Sequence, residues 1–112
     1  MDAAALLLQE ARARAAQRVA ELSGTFAEIV DASTSANLDD EHDPEGATVA
    51  FERAQVSVLL DRAQARLREI DAALLRVGQG AYGLCERCGT PIPDARLFAE
   101  PATRWCVACA SR

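Results

Sequence analysis

The chain contains no lysine, a single histidine and only 4% aromatic residues. All 12 positive charges are therefore arginine, set against 17 carboxylates for a net charge of −5. The clustered cation that grips a phosphate backbone is missing, which disfavours sequence-wide nucleic-acid binding. The large rings are Phe26, Phe51, Tyr82, Phe98 and Trp105, too few for a thick core in 112 residues. No apolar run nears the roughly 18 residues of a membrane span. The opening stretch MDAAALLLQEARARAA lacks a basic leader and turns charged at once, so no signal peptide is expected. There is also no Ser/His/Asp set, no phosphate loop and no acid/base pair suited to a pocket, so a non-enzyme is expected.

What is present begins with the cysteines, all in the last quarter of a chain long enough for one domain. Cys85 and Cys88, then Cys106 and Cys109, form two C-x2-C pairs seventeen residues apart. That is the spacing of a tetrahedral zinc site, in which each two-residue gap turns both sulfurs toward one ion. Gly89 follows the first pair, where a knuckle turn calls for positive φ. Two disulfides are the rival reading, disfavoured in a reducing compartment. A redox C-x-x-C would leave the second pair unexplained. Four thiolates close the coordination sphere to any catalytic water, so one structural Zn2+ is expected. Such sites supply about 10–16 kcal/mol of apparent binding energy that is also folding energy. Residues 79–112 need it, being too few to fold on burial alone. Phe98 and Trp105 are expected to cushion the metal; with little basic charge nearby, a base-stacking role for them is disfavoured.

Upstream, the pattern is helical. Val49, Val56, Leu60, Ala63, Leu67, Ile70, Leu74 and Val77 follow three- and four-residue steps, broken only at Arg53. Leu8, Ala15, Val19, Leu22, Phe26 and Ile29 keep the same rhythm, broken at Arg12. Helices over 3–32 and 44–78, of similar length and with a short connection, predict an antiparallel hairpin. An intermolecular coiled coil satisfies the same seams. Arg62, Arg66, Arg68 and Arg76 fall on the outer face, either solvated or paired with an acidic partner surface. The fold expected is mainly α: a helical hairpin over 1–78, then a four-Cys zinc finger over 79–112.

The connection, residues 33–46, carries five acids and no arginine, which accounts for the whole negative excess. Asp43 suits an N-cap, Pro44 the first helical position and Glu45 the positive helix end. Asp39, Asp40 and Glu41 have no such local role and add repulsion, so an acidic tip that reaches a partner is expected. His42 is expected to be solvated. Binding of Mg2+ or Ca2+ by these acids is a minor alternative, since the spacing fits no calcium loop.

The hairpin, the acidic tip, Tyr82-Gly83-Leu84-Cys85-Glu86-Arg87-Cys88-Gly89, Pro91-Ile92-Pro93, Arg96-Leu97, Pro101 and Cys106-Val107-Ala108-Cys109 together resemble the DksA/TraR zinc-finger proteins. The likeness covers roughly residues 5–112. It implies a bacterial cytoplasmic regulator that binds RNA polymerase, inserting the hairpin into the secondary channel with the acidic tip near the catalytic centre. The finger would rest on the channel rim. The family tip, Asp-x-x-Asp-x-Ala, falls on His42, Glu45 and Ala47, or, shifted by two, on Asp40 and Asp43 with Glu45 in place of the alanine. Tip contacts are thus expected from Asp40, Asp43, Glu45 and Ala47, and rim contacts from Arg62 and Arg66. Basic family positions for the alarmone ppGpp correspond to Glu69 and Ala110, with Arg62 retained, so ppGpp synergy is expected to be weak or absent. The family's C-terminal helix is expected to be stunted here. A zinc-ribbon protein–protein adaptor or a coiled-coil dimer, neither acting on polymerase, is the alternative.

Overall fold

The computed structural model describes residues 2–36 and 44–111. Two long helices, α1 (Asp2–Ala36) and α2 (Pro44–Gly78), are followed by two short ones, α3 (Asp94–Ala99) and α4 (Val107–Ala110). Each long helix has 35 residues, about 50 Å of α-helix. Helix α2 has the expected bounds. Helix α1 runs to Ala36, four residues beyond the expected end, because Ser33-Thr34-Ser35 contains no breaker. The Thr34 hydroxyl donates to the Val30 carbonyl, a bond that leaves the helical path intact. Among the described residues the only β feature is an isolated antiparallel bridge between Leu84 and Pro91. None of their helices is long and apolar enough to cross a membrane.

The chain divides into two compact units, Met1–Arg14 with Arg66–Arg112, and Ala15–Ala65. In the first, the start of α1 lies antiparallel to the end of α2. Leu8 and Ala11 on α1 and Ile70 and Ala73 on α2 are buried, and Ile70 is only 1% exposed. Above this seam Arg12 Nε donates to Asp71 Oδ1 at 2.5 Å, which makes the break at Arg12 a rim contact and gives Ala11 the buried place. In the second unit Leu22 is buried, and Val19, Phe26, Ile29, Val56, Leu60 and Ala63 are half-buried. The periodic residues therefore lie inward in both units, as an antiparallel hairpin requires.

Helix α2 ends in a Schellman motif. Gly80 N–H donates to the Val77 carbonyl at 3.2 Å and Ala81 N–H to the Arg76 carbonyl at 2.9 Å. Gly80 has φ 73°, the left-handed position that this cap needs. The chain leaves the helix within two residues and enters the finger at once. Tyr82 is buried there, its hydroxyl donating to the Pro101 carbonyl at 2.9 Å.

Candidate metal centre

The first cysteine pair sits on a tight turn. Gly89 N–H donates to the Cys85 carbonyl and Cys85 N–H to the Thr90 carbonyl, both at 2.9 Å. Gly89 has φ 74°, as the knuckle predicts. The second pair is held by a helix start: Cys106 is the N-cap of α4, with φ −68° and ψ 168°, and Cys109 lies one turn on. Ala110 N–H donates to the Cys106 carbonyl and closes that turn. Glu86 N–H donates to the Arg104 carbonyl at 2.9 Å, stitching one knuckle to the approach of the other.

These two turns bring all four sulfurs within 4.8 Å of one another. Cys88 Sγ and Cys106 Sγ are 3.7 Å apart. A tetrahedron with zinc–sulfur bonds of 2.3 Å has sulfur–sulfur edges of about 3.8 Å, so the donor set fits zinc. All four cysteines are free, and 3.7 Å is far beyond a disulfide's ~2.0 Å.

The thiols differ in acidity for visible reasons. Burial opposes ionisation of Cys85, but backbone N–H groups of Cys106, Cys88 and Arg87 outweigh it and bring the thiol down to about 6. The Thr90 hydroxyl, 2.9 Å from Cys88 Sγ, and then the Thr90 N–H hold Cys88 below its ordinary value. Cys109 is pushed up to about 12, first by its hydrogen bond with Cys106 and then by burial. Four thiolates crowded this closely repel one another. A dication supplies the missing charge and lets all four ionise.

Around the sulfurs, Cys85, Cys109 and Ile92 form a small core, with Leu97, Trp105 and Cys106 packed against it. Trp105 is the cushion expected, and Phe98 is not. Helix α3 turns Leu97 inward and leaves Phe98 78% exposed, because consecutive helical residues point about 100° apart. A second correction concerns Arg76, whose side chain is only 11% exposed instead of lying on the outer face. It reaches Glu86 Oε1 at 3.6 Å and the Ala102 and Thr103 carbonyls at 3.4 Å, bracing the finger against the end of α2. Arg96, half-buried on α3, donates to the Trp105 carbonyl at 3.0 Å and to Thr103 Oγ1 at 3.2 Å. Neither strut was singled out as one by the sequence. Arginine near a helix end or in a loop has the same pattern whether it faces solvent or a carbonyl.

Of the other expected site residues, Asp40 and Asp43 lie outside the described residues, as do Asp39, Glu41 and His42. Glu45 lies in the first turn of α2, and Ala47, one residue past that turn, is exposed. Arg62 and Arg66 are exposed, one turn apart on α2. Arg66, Glu69 and Ala110 line one groove of about 300 Å³ with Arg96, Glu100 and Trp105.

Residues 80–112 match the family described as prokaryotic dksA/traR C4-type zinc finger. Over 46 residues the chain is 59% identical to an uncharacterized protein of Aquifex aeolicus, covering 41% of this chain and 32% of that one. Over 52 residues it is 44% identical to the RNA polymerase-binding transcription factor DksA of Caulobacter vibrioides, covering 46% of this chain and 37% of that one. The chain thus spans about a third of the length of these curated relatives. The structure of transcription factor DksA2 from Pseudomonas aeruginosa matches with a TM-score of 0.81 at 26% identity, covering 99% of this chain and 80% of that one. Residues 80–112 thus carry a C4 finger of the DksA/TraR type with one structural zinc, and the helical fold along the chain is similar to that of DksA2.

Proposed function

We propose that the protein is a bacterial, cytoplasmic, non-enzymatic regulator that binds RNA polymerase through its secondary channel and modulates initiation. The observation that carries this reading is the match of 99% of the chain to a DksA-type fold, combined with the C4 finger. Residues 1–78 serve as the inserted hairpin and residues 79–112 as the finger. Cys85, Cys88, Cys106 and Cys109 hold the zinc, which makes thiolates stable at neutral pH and locks the two knuckles together. Asp40, Asp43, Glu45 and Ala47 act as the tip near the polymerase catalytic centre, where negative charge destabilises open complexes. Arg62 and Arg66 pair with acidic residues at the channel rim, a contact that weakens as ionic strength rises. Glu69 and Glu100 place carboxylates in the groove beside Arg66, which supports weak or absent ppGpp synergy.

The test is co-purification with core polymerase, joined to multi-round transcription on a ribosomal-type promoter with and without ppGpp. The wild type is expected to bind and to change transcript yield, with little added effect of ppGpp. Asp43→Ala combined with Glu45→Ala is expected to lose both. A double variant that still binds and still alters transcription defeats the tip assignment.

A second reading has one observation in its favour. Phe51, Val58 and Leu59 are exposed on α2, an apolar set that suits an adaptor or a dimer. Sedimentation of the full chain as a monomer at micromolar concentration counts against the dimer.

A further inference from the structure

Arg87 occupies a position that ligand spacing alone does not account for. It lies between Cys85 and Cys88, within the first knuckle. Its side chain reaches the second. Guanidinium Nη1 donates to the Cys109 carbonyl at 3.1 Å, across 22 residues of sequence. Its Cζ also lies over the Trp105 ring, 4.6 Å from the centroid. One residue of the first knuckle therefore holds a carbonyl of the second and covers the Trp105 ring. Arg104 supplies a natural comparison: its Cζ lies over the same ring at 4.7 Å, and its side chain pairs with Glu86 at 3.9 Å.

We propose that Arg87 is a positioning residue for the metal, a latch that keeps the two cysteine pairs together and so sets how fast zinc leaves. Loss of a zinc–sulfur bond must begin with one sulfur moving away, and the Cys106–Cys109 turn moves as a unit because Ala110 N–H ties it to Cys106. The Arg87 guanidinium holds the carbonyl end of that turn with a charge-assisted bond, which is stronger than a neutral one. Outer-shell partners of this kind change metal affinity by about 10–100-fold when removed. The inference rests on the four-cysteine zinc reading and goes beyond it, since no ligand role is claimed for Arg87.

The experiment measures zinc content of the full-length protein, then its release to a chromogenic chelator, with the helical signal at 222 nm followed in parallel. Arg87→Gln is expected to contain one zinc and to release it about tenfold faster than wild type, with unchanged helical signal. Arg87→Lys, which keeps a charged donor, should recover much of the slow release. Arg104→Gln should stay within about twofold of wild type, because it removes the same charge from the same ring without touching Cys109. Arg87→Met keeps the aliphatic stem on Trp105 and repeats the test if the glutamine variant does not fold. Equal release from wild type and Arg87→Gln overturns the latch, as does equal acceleration by Arg87→Gln and Arg104→Gln. Wild-type protein that contains no zinc overturns the metal reading itself, which the content measurement separates from failure of the latch.

Discussion

The long helices and the finger bury themselves by different means. Across α1 and α2, 35 residues each, the buried apolar side chains are Leu8, Ala11, Leu22, Ile70 and Ala73. The much shorter finger buries Tyr82, Cys85, Ile92, Ala102 and Cys109. The helices rely on backbone hydrogen bonds and one repeating seam, which tolerates thin packing because each turn supports the next. In the finger, α3 and α4 have six and four residues, too short for that mutual support, so its shape depends on glycine turns, arginine struts and converging sulfurs. A repeating element is stabilised in small equal steps; a non-repeating one is held at a few points, and each point matters more.

The largest break in this comparison should come from the metal. Cys109→Ser, or a strong chelator, is expected to unfold the finger while sparing most of the helical signal. Trp105 emission should shift to the red as its packing is lost, and ellipticity at 222 nm should fall only slightly. Equal loss of both signals would mean that the helices depend on the metal as much as the finger does.

Next in size is Ile70→Ala at one of the two fully buried large positions of the seam, the other being Leu8. A loss of about 2–5 kcal/mol is expected in denaturant unfolding. The same replacement at exposed Leu75 should change stability by a few tenths at most.

Tyr82→Phe is smaller, about 1 kcal/mol from the bond to Pro101, and has a pH signature. Burial raises the Tyr82 phenol above its ordinary value of 10.0, with Arg76 partly opposing the shift. The unfolded chain therefore gives up this proton at lower pH than the folded one. The stability linked to it is full below pH 10 and is lost as pH rises through the native value. Alkaline thermal melts should show that decline in wild type and a shallower one in Tyr82→Phe. The smallest effect should come from Arg12→Ala. Its partner Asp71 is half-exposed, so melting should be indistinguishable from wild type at ordinary salt.

Sequence made the repeating half readable because periodicity is a statement about faces. Each residue named for a seam is buried or half-buried, and Pro44 opens α2 where a proline belongs. The metal ligands were equally legible, since two-residue gaps dictate a knuckle whatever surrounds it. Phe98 and Arg76 were not. Helix α3 has six residues, less than two turns, so no periodicity marks which of Leu97 and Phe98 faces inward. Arg76 has the spacing of a solvated residue, and only the return of residues 102–103 to its side gives it carbonyls to bind. In both cases the deciding neighbour is distant in sequence.

The cap at Gly80 leaves no slack between α2 and the finger. Tyr82 is already buried four residues after the helix stops, so the direction in which the finger departs follows from the angular phase of the last helical turn. One residue inserted into that turn would rotate the departure by about 100°. Insertions near residues 74–78 therefore redirect the metal-bearing end as a whole.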